Sequence, residues 1–139
     1  MPYQQAINFL SGQRKPDVQS QITRELECFL RLYHPLMPAM FIYYNRVSLR
    51  GIRDEQLRIT FDAALRWRAT ELDLRKGTYG TALLAPGQVL MEIKAAGAMP
   101  LWLAQALAEL HIYPHSFSKY GQAYCALQQK IRKGGCASA

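Results

Sequence analysis

The sequence predicts an α+β fold built on an antiparallel sheet with flanking helices. Three observations carry this. Apolar residues recur at spacings of three and four between Asp17 and Tyr33, apolar and polar residues alternate in segments between Met40 and Ala95, and two further helical stretches follow. Strands that follow one another without a helix between them favour antiparallel pairing.

The elements follow in order. Ser11 to Pro16 is a polar loop. Val18, Ile22, Leu26, Phe29, Leu30 and Tyr33 mark a helix over Asp17 to Tyr33, with Asp17 as its cap. His34-Pro35 stops it, because proline disfavours helix in the residue before it. Met40 to Arg46 reads as a strand, Val47 to Gln56 as a loop, Leu57 to Asp62 as a second strand and Arg66 to Thr70 as a further short one. Asp73 to Gly87 contains Gly77, Gly80 and Pro86 and reads as irregular. Gln88 to Ala95 is the clearest strand. Pro100 suits the first position of a buried helix over Leu101 to Leu110, and His111 to His115 connect it to a last helix from about Ser116 to Arg132. Gly134 and Gly135 break that helix, and residues 134–139 are expected as a disordered tail. The chain of 139 residues, half of them hydrophobic, is expected to form one domain with a real core.

Composition narrows the chemistry. Seventeen basic against ten acidic residues give a formal net charge of +7, which favours a polyanionic partner: nucleic acid, anionic membrane, nucleotide or polyphosphate. No helix-turn-helix, zinc-finger or RNA-recognition motif is present, so nucleic acid rests on charge alone. The cysteines Cys28, Cys125 and Cys136 are odd in number without CxxC spacing, which argues against a disulfide scaffold or structural zinc. Cys28 and Cys125 read as small apolar packers within helices, and a reducing cytosol fits best. The first ten residues lack a signal-peptide pattern, and no apolar run approaches the roughly 20 residues of a membrane span, so a cytoplasmic location is expected. His111 and His115 are four apart, but Pro114 keeps them from one helix face. Gly77-Thr78-Tyr79-Gly80 lacks the Gly-Lys-[Ser/Thr] of a P-loop.

The polar sides of the strands hold the candidate site. Arg58, Thr60 and Asp62 share one side of the second strand, Leu90, Glu92 and Lys94 one side of the Gln88–Ala95 strand, and Ile42, Tyr44 and Arg46 one side of the first. A half-buried sheet with one solvated face explains the alternation by itself. The residue types point further. Arginine forks match phosphate oxygens, and a carboxylate among them suits a hard cation that bridges phosphates. Asp62 is open to either metal binding or pairing with an arginine. Ser116-Phe117-Ser118-Lys119-Tyr120 places hydroxyls and a lysine at a helix start, where free N–H groups attract anions. An ordinary serine cap followed by a solvated lysine is the plainer reading.

Five segments in order, Tyr44-Asn45-Arg46, Arg58-Ile59-Thr60-Phe61-Asp62, Met91-Glu92-Ile93-Lys94, Pro100-Leu101-Trp102 and Ser116-Phe117-Ser118-Lys119-Tyr120, resemble the VTC (vacuolar transporter chaperone) polyphosphate polymerase domain. The resemblance covers about Gln21 to Tyr124 and the C-terminal half of the family domain. It implies a sheet that forms part of a triphosphate-tunnel-like β-barrel, manganese or magnesium as cofactor, and transfer of the ATP γ-phosphate to polyphosphate. It implies phosphate binding by Arg46, Arg58, Ser118 and Lys119, with Tyr44 and Lys94 as lining residues, and metal binding by Glu92. The partners implied are ATP, triphosphate or inorganic polyphosphate. The early strands of the family, with a lysine and an Arg-x-Arg pair, have no counterpart before Met40, so the chain reads as a fragment, as the product of a truncated gene, or as one half of a tunnel that a second chain or a homo-oligomer completes. The alternatives are a non-catalytic polyphosphate- or nucleotide-binding module and, on charge alone, a basic nucleic-acid-binding domain.

Overall fold

The computed structural model describes residues 1–134, with side chains through Arg132. They fall into two compact units, Met1–Ala39 and the part from Met40 onward. The first unit contains helices α1 (Tyr3–Leu10) and α2 (Gln21–Leu32). No element of the sequence reading anticipated α1. The helix expected from Asp17 begins at Gln21, because Ser20 and Thr23 form a reciprocal capping box: the Ser20 hydroxyl accepts the Thr23 N–H, and the Thr23 hydroxyl accepts the Ser20 N–H. Asp17 instead pairs with Arg14 at 3.0 Å. The apolar stripe of α2 is largely exposed at Ile22, Leu26 and Phe29.

The second unit is an antiparallel sheet of four strands, β1 (Phe41–Arg50), β2 (Arg58–Arg68), β3 (Thr81–Ala82) and β4 (Leu90–Lys94), followed by α3 (Leu101–Glu109) and α4 (Lys119–Gly134). The architecture is α+β, as expected. Strand β2 is central: β1 flanks it on one side along its whole length, while β4 and β3 pair successively with its two ends on the other. The sheet is open among the described residues.

The strand boundaries differ from the expected ones. The segment 47–50, expected as loop, continues β1, because Val47 and Leu49 alternate with Ser48 and Arg50 and pair with β2 residues 58–61. The turn comes later, at Gly51, whose N–H bonds the Leu57 carbonyl at 2.9 Å. A Cβ at Gly51 would lie 2.4 Å from the Asp54 carbonyl oxygen, so the backbone closes the turn where only glycine fits.

The two short strands expected at 57–62 and 66–70 are one strand. Between Tyr43/Arg66 and Asn45/Ala63 the register advances two residues on β1 and three on β2. The extra residue is accommodated at Ala64, which has φ 53°. The bulge changes the parity of β2. Asp62 opposes Arg46 and Trp67 opposes Ile42, so these two β2 residues, five apart, share a face. That face receives α4: Lys119 reaches Asp62, and Lys130 bonds the Thr81 hydroxyl at 2.9 Å with its ammonium over the Trp67 ring. Leu65, Trp67 and Ala123 are buried core residues.

Burial corrects three further expectations. The polar side of the sheet is not uniformly solvated: Asp62 is 0% and Thr60 6% exposed, although Arg46, Ser48, Arg50, Arg58 and Lys94 around them are open, and on the apolar side Val47 and Leu49 are 60% and 52% exposed. Helix α3 is not buried, since Leu103 is its one buried residue and Trp102 lies open. Cys28 and Cys125 are exposed rather than packed. Helix α4 is described through Gly134, beyond the expected end at Arg132; the tail from residue 135, with Cys136, lies outside the described residues.

The segment after β2 is held by Arg68. Its guanidinium lies over the rings of Phe41 and Tyr79 and donates to the carbonyls of Glu71, Asp73, Gly77 and Tyr79 at 3.0–3.2 Å. Tyr79 in turn donates to the Glu71 carboxylate, which also pairs with Lys76. Gly80 lets β3 dock, since a Cβ there would meet the Trp67 carbonyl oxygen at 2.5 Å. Arg68→Ala would leave these acceptors without their donor inside a part-buried loop. The expected loss is on the order of 3 kcal/mol of unfolding stability, read by urea denaturation, with faster amide exchange over residues 71–79. Unchanged stability would show that water replaces the arginine without cost.

Candidate functional site

The register assembles one polar face from three strands. Asp62 lies opposite Arg46 on β1 and Leu90 on β4; Thr60 opposite Ser48 and Glu92; Arg58 opposite Arg50 and Lys94. All the sequence-predicted residues of β1, β2 and β4 therefore share one face, and the start of α4 joins them. Tyr44 sits opposite the bulge, with the Arg46 guanidinium and the Lys119 ammonium each 4.9 Å from its ring centroid.

The centre of the site is Asp62. Arg46 donates Nε and Nη2 to its two carboxylate oxygens at 2.6 and 2.8 Å, a bidentate pair. The Lys119 ammonium lies 2.7 Å from Oδ2. The arginine pairing left open by the sequence is thus the observed one. Hydrogen bonds from Arg46, then Lys119, hold the Asp62 carboxyl below the usual carboxylate range against the opposing effect of burial, and Asp62 in turn raises the Arg46 guanidinium.

Ser118 caps α4 as expected: its hydroxyl accepts the Gly121 N–H at 3.1 Å, and its carbonyl accepts the Gln122 N–H. Lys119 is not solvated as the plainer reading had it. The capped helix start directs it onto the sheet, where its pairing with Asp62 offsets the unfavourable helix dipole.

Arg46, Arg58, Thr60, Glu92 and Lys94 line a cavity of about 20 Å³. Glu92 is partly exposed and lies 3.2 Å from the Lys94 ammonium. Among the described residues, no three His, Cys, Asp or Glu side chains gather as a metal cage. One carboxylate among phosphate-type cations does fit a hard divalent ion that takes its remaining ligands from water and phosphate oxygens.

Sequence reasoning missed Arg50 and Ser48, which continue the face beyond Arg46. The available signal was the alternation Arg46-x-Ser48-x-Arg50, hidden by reading this stretch as loop. Arg50, Arg58 and Lys94 form a row of like charges directly across three strands. Such a row is unfavourable by itself and is relieved by an anion.

Taken together, the face is a basic surface of the class that binds polyanions. The model of the VTC domain family matches residues 4–128, and the chain belongs to that family. This relates it to polyphosphate. The match extends beyond the expected Gln21–Tyr124 and takes in the first unit. No curated protein matches the chain. No helix among the described residues is long and apolar enough to cross a membrane.

Asp62→Asn would remove the charge that holds Arg46 and Lys119. The expected cost is about 2–3 kcal/mol at neutral pH, the low end for a buried pair because Arg46 keeps access to water. Because the Asp62 carboxyl is depressed in the fold, its contribution is fully present above the unfolded value of about 3.9 and is lost as pH falls toward the folded one. The stability gap between wild type and variant should therefore be constant from about pH 5 upward and narrow below about pH 4. A gap that does not vary with pH would assign the loss to packing instead.

Proposed function

We propose that the chain is a VTC-type polyphosphate polymerase domain, or the part of one that contributes these strands, which moves the ATP γ-phosphate onto polyphosphate in the cytosol. The observation that carries this reading is the single face on which Arg46, Arg58 and Lys94 line one cavity with Glu92, while Lys119 joins Arg46 on Asp62 beside it. In this reading the open sheet is one wall of a triphosphate-tunnel-like barrel, completed by further strands of the same protein, a second copy or another chain.

The residues divide the work by position. Arg58 and Lys94, opposite each other on β2 and β4, would hold the outer oxygens of a phosphate chain. Arg46 and Lys119 are prearranged by Asp62, so their charges need little reorganisation when a phosphoryl group arrives. Tyr44 would keep both beside its ring. Ser118 sets the start of α4 and with it the approach of Lys119. The chemistry a divalent ion supplies when bound is charge neutralisation across phosphoryl oxygens, and Glu92 is the residue that would hold it. No side chain is modified in this reading: catalysis is positioning and electrostatic stabilisation.

A second reading, a polyphosphate- or nucleotide-binding module without turnover, is favoured by the openness of the sheet among the described residues. The same cations would then bind without enclosing donor and acceptor. Calorimetry with tripolyphosphate, with and without manganese, tests what the two readings share, and release of ADP from ATP separates them. Arg58→Ala and Lys119→Ala should each weaken binding by about tenfold or more, the worth of a charge-assisted contact. Glu92→Ala should abolish the manganese dependence. Native manganese-dependent turnover in Glu92→Ala would overturn the role of the glutamate.

A further inference from the structure

Thr60 occupies the middle of the cation-lined face. It lies on the central strand, between Ser48 of β1 and Glu92 of β4, with Arg58 and Asp62 two residues away on the same side. The residue is 6% exposed, and its hydroxyl is shielded from solvent without a hydrogen-bond partner among the described residues. A buried hydroxyl left unpaired is unfavourable, and native folds satisfy such groups or use them. Thr60 also lines the cavity between Arg46, Arg58, Glu92 and Lys94, whose volume of about 20 Å³ admits a single water-sized group.

The surrounding charges decide what that group is. Three cationic side chains and one carboxylate line the cavity, a balance of +2 that favours an anionic oxygen over a cation. A threonine hydroxyl has one proton to donate; Arg46, Arg58 and Lys94 have no acceptor to receive it, and the Glu92 carboxylate across the strand makes no hydrogen bond with it. Arg58 and Lys94 are exposed at the rim, so their long side chains can move to admit an oxygen. Valine would match the threonine in shape and suits a central strand without leaving an unpaired hydroxyl.

We propose that Thr60 is a phosphate-binding residue whose hydroxyl donates to one non-bridging oxygen of a phosphate chain held by Arg46, Arg58 and Lys94. This rests on the phosphate reading above and adds a neutral donor at the floor of the site. The hydroxyl registers the depth of a phosphoryl group, which the flexible cations at the rim cannot fix. No protein group among the described residues competes with the phosphate for that donor.

The test is tripolyphosphate titrated into the purified chain by calorimetry, in EDTA and in manganese buffer, for wild type, Thr60→Val, Thr60→Ser and Arg58→Ala. Thr60→Val should bind about tenfold more weakly in both buffers, the worth of a hydrogen bond to a charged group. Its ligand-free melting temperature should rise by a few degrees. Thr60→Ser should bind like wild type. Wild-type affinity in Thr60→Val, with Arg58→Ala weakened, would show that the cavity holds water only and would overturn this inference while leaving the phosphate reading intact. A lower melting temperature for Thr60→Val would show that the hydroxyl is bonded within the protein, and would overturn it as well. A loss seen only with manganese would place the hydroxyl on the cation, again against the proposal. Absence of tripolyphosphate binding by the wild-type chain in either buffer would overturn the phosphate reading and this inference with it.

Discussion

A carboxylate with no exposure to water, bound on one side by a guanidinium and on the other by an ammonium, organises this sheet. Asp62 is on the central strand, Arg46 on its neighbour and Lys119 at the first turn of α4. Three elements distant in sequence meet at its two oxygens. Burying such a group alone would be prohibitive; with two cations at hydrogen-bond distance it becomes the fixed point from which their positions follow. The helix start, the tyrosine ring and the strand pairing all converge on the same charge.

This arrangement explains why Asp62, on the polar side of the sheet, is buried. In an ordinary half-buried sheet, alternation sorts apolar residues inward. Here α4 closes over the polar side, and its lysines at 119 and 130 reach down to Asp62 and to the Trp67 ring. The cations left without a buried partner, Arg58 and Lys94, lie toward the rim beside Arg50. One end of the face is thus partly neutralised, two cations sharing one carboxylate, and the other end carries the larger surplus of positive charge.

Much of this was legible in the sequence, and the failures have physical causes. Period-two alternation identified β2 and β4 and placed Arg58, Asp62, Glu92 and Lys94 on common sides. The same rule extends β1 to Arg50, but a search for turn residues stopped it four residues early. The bulge at Ala64 leaves no composition signal: two alanines without glycine or proline gave no warning that the parity of β2 changes there. Asp17 looked like a cap because the hydroxyl pair Ser20 and Thr23, which competes successfully, is a less familiar form of the capping box. The partner of Lys119 was not readable, because it lies 57 positions away across the fold. Pattern reading found what local periodicity dictates and missed what only long-range contact decides.

The one-residue bulge also sets how this chain can tolerate change in length. Upstream of Ala64, β2 turns Arg58, Thr60 and Asp62 toward α4; downstream it turns Trp67 the same way, and that continuity depends on the bulge absorbing the additional residue. Deleting Ala64 would remove the bulge and leave regular alternation, with Trp67 still on the side of Asp62 and Arg66 and Arg68 on the other. A one-residue deletion elsewhere in β2 would instead exchange a whole side of the strand unless the bulge moved to compensate. The reading frame of side chains, as distinct from that of codons, is therefore most forgiving at a residue whose own side chain is a single exposed methyl group.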